Sequence, residues 1–404
     1  MSVSERWLLP DGVDELLPPE AWNVELVRRE LLDLYSRNGY QLISPPLIEY
    51  LESLLTGTGN DLDLQTFKVT DQLTGRLMGV RADITPQVAR IDAHLLQNKG
   101  ISRLCYVDTV LHTRPAHIQT NRNPLQIGCE LFGEASSNAD IEVISLMLAT
   151  LSSVGIPNIH IDLAHVGIYK GLIESSSLDG DTEEKIFDAL SRKSIPELDA
   201  LAKNVDTDSN IIFLIRDIAN LSGGIGALDE IERAVTALNL SRSNLVIDAI
   251  NELRLIATQV HKRFDQVEIG FDFCELRGYN YHTGILFSAF SSCHGYALAK
   301  GGRYNDIGKS FGHRGQLKSQ HSRPATGFSA DLKTLVRLTS KLKKLDHETI
   351  FAPMGDDQTL LNKINELRQK NCVIQGLSDN ETAESLGCNQ VLVFENQNWR
   401  VKPV

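Results

Sequence analysis

Apolar residues recur along this chain at two different periods, and the switch between them divides it into regions. After Pro18-Pro19, Val24, Val27, Leu31 and Leu34 step by three and four, the spacing of one helix face, and Gly39 ends the run. Residues 40–44 read as a short strand closed by Pro45-Pro46. Residues 65–69 and 76–85 read as a strand pair around a turn at 71–75. A helix is expected next, with Thr85 as its cap, Pro86 at the first helical position, and Val88, Ile91 and Leu95 as its apolar stripe. Further strands are expected at 104–112, 125–133 and 159–164, with a long helix over 139–154.

From 171 to 262 the two-residue alternation disappears. Helical stretches at 183–191, 195–203, 212–218, 228–238 and 245–264 are separated by short Ser, Asp and Gly breaks. This region reads as a helical insert, 171–262, within a discontinuous core of 1–170 and 263–340. Strand patterns return at 267–275, 281–290 and 296–300, followed by Gly301-Gly302 and a helix at 329–338. A basic linker over 337–344 leads to a last unit, 346–404. Its expected order of strand, helix, strand, helix, strand describes a small α/β module.

Composition narrows the function classes. Hydrophobic residues at 42% and charged ones at 23% describe a folded chain rather than a disordered one. Forty Lys plus Arg against 52 Asp plus Glu leave a net charge of −12, which gives no overall attraction to nucleic acid or anionic membranes. No run of 18 apolar residues is present, so no membrane span is expected. The N-terminus shows no secretory signal pattern, and a cytoplasmic location is expected. The six cysteines include no C-x-x-C pair and the histidines no H-E-x-x-H, so neither a metal site nor a cofactor is expected.

Period two makes 125–133 informative. Leu125, Ile127, Cys129 and Leu131 take one face; Gln126, Gly128 and Glu130 take the other. An amide and a carboxylate flanking a glycine fit a small ligand lying across the strand, the absent side chain leaving room. Taken alone, the strand fits better as a solvent-facing one with a bulge glycine. The same alternation puts Arg81, Asp83 and Thr85 on one face at a helix N-terminus, as ligand contacts or as a capped helix with a surface ion pair. In 277–284, Arg277 suits a carboxylate through its two-pronged fork and the tyrosines suit an aromatic or imidazole-sized ligand; a packed hairpin entry is the alternative. Gly301-Gly302-Arg303-Tyr304 lacks the spacing of a phosphate-binding loop. No nucleophile with a partnering base emerges, and Cys129 reads as core.

Taken in order, these segments resemble the catalytic core of a class II histidyl-tRNA synthetase over roughly residues 5–175 and 263–340. Residues 9–18 and 39–50 resemble that family's dimer-interface segment. Residues 81–90, 126–133, 277–284 and 301–304 resemble its histidine-binding elements. The resemblance implies an α+β fold: a class II synthetase-like core whose antiparallel sheet is flanked by helices. Departures fall where the synthetase holds ATP, whose triphosphate carries about four negative charges. Arg114-Pro115 follows Leu111-His112-Thr113 where the synthetase has Arg-x-Glu, and Asp331-Leu332-Lys333-Thr334 stands where it has Gly-Leu-Glu-Arg. Arg122 is the cation of the usual ATP loop that remains. The tail from Asp346 is shorter than an anticodon-reading domain and carries five basic residues against nine acidic ones.

A retained histidine pocket without ATP or tRNA functions is similar to the regulatory subunits of short-form ATP phosphoribosyltransferase, paralogues of the synthetase in the first step of histidine biosynthesis. That resemblance implies a non-catalytic chain that activates the short catalytic subunit and mediates feedback inhibition by L-histidine. It implies a class II-type dimer within a hetero-octamer, and no tRNA partner. It also assigns roles: Asp83 and Thr85, with Gln126, to the ligand's α-amino group; Glu130 to an imidazole nitrogen; Arg277 to the carboxylate; Tyr281, His282 and Tyr304 to the walls of the ring site. An active histidyl-tRNA synthetase and a free-standing histidine sensor are the competing readings.

Overall fold

The computed structural model describes residues 7–56, 60–115, 121–204, 209–276, 282–305, 323–339, 341 and 348–404. Helix α1 (Glu20–Arg37) turns Val24, Leu31 and Tyr35 into the core, and Gly39 at φ +82° supplies the left-handed residue that ends it. Next come β1 (Gln41–Leu42), β2 (Ile48–Tyr50), α2 (Leu51–Leu54), α3 (Asn60–Gln65), β3 (Phe67–Thr70) and β4 (Leu77–Val80). Strands β2, β4 and β3 form a small antiparallel sheet in that order.

Strand β4 ends at Val80, so the shared face expected for Arg81, Asp83 and Thr85 does not form. Arg81 is buried and turned away: Nε donates to Thr109 O and Nη1 to Pro45 O, and Nη2 pairs with Asp108 at 2.7 Å. Helix α4 (Thr85–Ile91) begins with Thr85, which is not the cap; Asp83 Oδ1 accepts the Thr85 N–H at 3.1 Å instead. The Thr85 hydroxyl is thereby left to point elsewhere. The helix then widens into a π-turn over Asp92–Leu96. The wider winding breaks the expected stripe: Asp92 goes inside to pair with Arg323, and Leu95 is 68% exposed.

The remaining elements of the larger unit, residues 1–342, are β5 (Ser102–Thr109), β6 (Leu125–Phe132), α5 (Ser137–Ser153), β7 (Ile159–His165), α6 (Val166–Ile173), α7 (Gly180–Ser191), α8 (Ile195–Asn204), α9 (Ser209–Asn220), β8 (Ser222–Gly223), α10 (Gly226–Leu238), α11 (Ser243–Arg263), β9 (Glu268–Asp272), β10 (Ile285–Ser291), β11 (His294–Tyr304) and β12 (Ala325–Asp331). Nine strands form one sheet in the order β1-β5-β6-β12-β11-β10-β7-β9-β8, antiparallel except at β1/β5 and β7/β9. One face packs on helices: Ile127, Cys129 and Leu131 of β6 join Val143, Met147 and Leu151 of α5 in a single core. Each such aliphatic side chain contributes about 1.5–3 kcal/mol by leaving water. The opposite face carries glycine and polar side chains near its centre.

Three further expectations fail in this unit. Residues 325–331, partly expected as helix, are strand β12, because Phe328 and Ala330 alternate with Gly327 and Ser329. The helix starts only at Leu332, where Asp331 caps it by accepting the N–H groups of Lys333 and Thr334. Gly301-Gly302 lies inside β11 rather than after it. A two-residue strand, β8, also interrupts the expected all-helical stretch.

The smaller unit, 343–404, has strands β13 (Thr349–Ala352), β14 (Cys372–Gln375), β15 (Gln390–Glu395) and β16 (Asn398–Pro403) in the order β14-β13-β15-β16. Helix Gln358–Leu367 covers Ile350, Ala352, Val373 and Leu392 with Leu360 and Ile364. The second helix expected here is absent. Residues 377–387 form turns and bends in which only Ala383 is buried, and the chain closes with the hairpin β15/β16.

Candidate ligand-binding site

The cavity lies where four strands put small residues side by side. Register places Glu130 of β6 opposite Gly327, Gly327 opposite Gly302, and Gly302 opposite Leu286. The two glycines are required by close approach. A Cβ on Gly327 would collide with the Glu130 carboxylate, and one on Gly302 would stand 2.9 Å from His282 Nδ1. Glycine therefore makes room for the two site side chains. Gly128 does not make room for a ligand: its vacant position is filled by the Tyr106 hydroxyl, 2.5 Å from where a Cβ would be.

The resulting cavity has a volume of about 190 Å³ and is lined by Asp83, Thr85, Glu130, Glu275, His282, Ser288, Lys300, Tyr304 and Ser329, among others. That is room for one small metabolite, below the size usual for drug-like ligands. Glu130 is 1% exposed. Its Oε2 accepts from the Tyr304 hydroxyl at 2.6 Å, and its Oε1 from Thr85 at 3.0 Å and Tyr106 at 3.2 Å. Desolvation nonetheless outweighs these hydroxyls and pushes the Glu130 carboxyl up to about 8. The carboxyl is therefore mostly protonated at neutral pH, and a ligand bringing a positive N–H group favours its ionised form.

Asp83 is held beside it. Gln126 Nε2 donates to Asp83 Oδ1 at 2.7 Å, while Gln126 Oε1 accepts the Ile84 N–H. Gln126 thus stands behind Asp83 and orients it rather than lining the cavity. Desolvation lowers the His282 ring to about 4, so the ring is neutral at physiological pH; its Nδ1 lies 3.3 Å from Arg303 O. Arg303 in turn pins the end of β11 to α5 through Asp140 at 2.7 Å and to the turn before α5 through Glu134 O and Ser136 O.

Of the eight site residues expected from the sequence, Asp83, Thr85, Glu130, His282 and Tyr304 meet at the cavity. Arg277 and Tyr281 lie outside the described residues. Glu275, Ser288, Lys300 and Ser329 were not expected. Period two in β11 does group Lys300 with Gly302, a signal available in the sequence; the cross-strand partners Ser288 and Ser329 follow only from register.

Of the positions that the sequence resemblance sets against synthetase ATP contacts, 122, 333 and 334 make internal ties. Arg122 donates to His112 O and Asp11 O. Lys333 Nζ holds Asp14 at 2.7 Å, and Thr334 bonds the capping Asp331. Arg114 is exposed. No helix among the described residues is long and apolar enough to cross a membrane.

Sheet and cavity together define a class II synthetase-like core. The sequence matches the family described as Histidyl-tRNA synthetase over residues 12–335, and the ATP phosphoribosyltransferase subunit HisZ C-terminal domain over 347–402. It is 50% identical to the ATP phosphoribosyltransferase regulatory subunit of Marinobacter nauticus, with all of both chains covered. It is 48% identical to that of Thioalkalivibrio sulfidiphilus, with 99% of each covered. The chain belongs to the ATP phosphoribosyltransferase regulatory subunit family. Its fold is similar to an ATP phosphoribosyltransferase regulatory subunit/histidyl-tRNA synthetase from Bacillus halodurans (TM-score 0.79, 23% identity, 94% of this chain and 96% of that one). It is also similar to the histidyl-tRNA synthetase of Nostoc sp. PCC 7120 (TM-score 0.75, 19% identity, 96% and 91%).

Proposed function

We propose that this chain is a non-catalytic subunit that binds a short-form ATP phosphoribosyltransferase catalytic subunit, activates it, and carries feedback inhibition by L-histidine held in the cavity. The observation that carries the reading is the buried Glu130 carboxyl, set among three hydroxyls and beside Asp83. A group so poised suits an imidazole nitrogen. Asp83, oriented by Gln126, and Thr85 take the α-amino group; Tyr304, His282 and Tyr281 wall the ring, and Arg277 takes the carboxylate. The chain works in the cytoplasm without a cofactor or tRNA, as a class II-type dimer within a hetero-octamer. Its core comprises 1–170 and 263–340, with 171–262 as insert and 346–404 as C-terminal module.

Regulation then follows from linkage. Histidine must bind the inhibited state of the complex more tightly than the active one, and each 1.4 kcal/mol of that difference is about tenfold in the equilibrium. Two measurements test the assignment. Light scattering of this chain mixed with a short-form catalytic subunit should show a complex larger than either alone, and calorimetry should show L-histidine binding to this chain. Absence of the complex removes the partner; absence of histidine binding removes the effector site.

A further inference from the structure

We propose, resting on the reading of the cavity as a ligand site, that Arg303 is a positioning residue: its buried pair with Asp140 holds the Tyr304 hydroxyl on Glu130. Arg303 itself lies outside the cavity lining.

Tyr304 reaches Glu130 across an intervening strand. β11 and β6 both pair with β12, so the two side chains start from backbones two strand spacings apart, about 9.5 Å. On β12 between them Gly327 keeps a side chain out of the way, and the hydroxyl meets the carboxyl at 2.6 Å. A contact of that length tolerates little movement of either strand. Tyr304 is also the last residue of β11. The ladder to β10 stops at Gly302, opposite Leu286, and only the ladder to β12 continues through Arg303 and Tyr304. The end of the strand that carries the hydroxyl has thus lost one of its two neighbours.

Arg303 spans β12 on the opposite face of the sheet. Period two turns its side chain away from the cavity and towards the helices. That side chain is 6% exposed and the Asp140 side chain 0%. Nε and Nη2 donate to Asp140 Oδ2 at 3.0 and 2.7 Å; Nη1 donates to Glu134 O and Nη2 to Ser136 O, each at 3.0 Å. Residues 134–136 follow β6, the strand of Glu130, so the guanidinium fixes β11 against β6 one residue away from Tyr304. The Arg303 backbone adds a tie on the other side, where its carbonyl accepts the Thr283 N–H at 2.9 Å beside the His282 ring. A buried ion pair contributes little net stability, because desolvation of both charges offsets their attraction. A planar fork with every arm engaged instead sets direction and distance.

Arg303→Lys keeps the charge and loses the fork, and two measurements on the full chain read the consequence. One is calorimetry with L-histidine; the other is the titration midpoint of Glu130 by NMR in the ligand-free chain. The variant should weaken L-histidine by about fivefold or more and raise the Glu130 midpoint, as Tyr304→Phe does. Added to Tyr304→Phe, it should weaken L-histidine by less than about twofold further, because both changes remove one contact. The assignment is overturned if the two losses multiply, or if the Glu130 midpoint in Arg303→Lys matches wild type. Should Arg303→Lys not fold, Arg303→Met combined with Asp140→Leu leaves no buried charge unpaired and carries the same expectations. Failure of the cavity reading looks different: wild type then binds no L-histidine, and the Glu130 midpoint alone decides for Arg303 if raised and against it if unchanged.

Discussion

The polar face of the central sheet has two neighbouring regions that have been treated in opposite ways. Around Glu130, glycines at 302 and 327 keep space open, and hydroxyls from Thr85, Tyr106 and Tyr304 converge on one carboxyl group. Around the start of β6 and the end of β12, the charged groups are consumed by the protein itself: Arg122 by backbone carbonyls, Lys333 by Asp14, and Asp331 by its helix. One region leaves a polar cavity open, while in the other cations serve as struts. One sheet face can thus keep a cavity open and turn the adjoining surface into internal support.

The contrast can be broken experimentally, beginning with its largest consequence. Glu130→Ala should cost L-histidine binding about 100-fold or more while the complex with the catalytic subunit still assembles; retained binding in calorimetry would misplace the pocket. A pH experiment follows. The folded pKa of Glu130, about 8, lies above its ordinary value of 4.5, so the stabilisation tied to its bound proton is complete below pH 4.5. It is lost as pH rises towards 8, at about 1.4 kcal/mol for each pH unit. Glu130→Gln, which has no proton to lose, should therefore gain in Tm relative to wild type between pH 5 and 9. A constant difference across that range would show that Glu130 ionises normally.

Smaller effects are expected from the struts. Lys333→Met takes from Asp14 its buried partner but leaves it Arg337 and Asn121, and should destabilise the fold by about 1 kcal/mol in denaturant titration without changing histidine affinity. A loss of affinity instead would tie the two regions together. Tyr304→Phe removes one hydroxyl from Glu130 and should cost about 1 kcal/mol of stability, with a still higher Glu130 pKa by difference titration.

Much of this arrangement is written in local pattern. The helix expected at 245–264 is Ser243–Arg263 and the strand expected at 125–133 is Leu125–Phe132, since each carries an unbroken period. Strand β12 was hidden because its alternation uses Gly, Ser and Ala, which carry little signal, and it runs without a turn into the next helix. The turns at 377–387 contain good helix formers but no stripe to bury. Asp83, Thr85 and Glu130 were accessible as polar residues at unusual local positions. Lys300 was accessible only through its shared face with Gly302, and Ser288 and Ser329 were not, because nothing in either segment shows that three strands bring them into line.

The proposal that this chain regulates a catalytic partner is tested most directly by the ATP phosphoribosyltransferase activity of a short-form catalytic subunit, measured with and without this chain and with and without L-histidine. The account predicts a clear rise in rate on adding the chain, reversed by L-histidine in wild type and not in Glu130→Ala. An unchanged rate with a folded, active partner would contradict it.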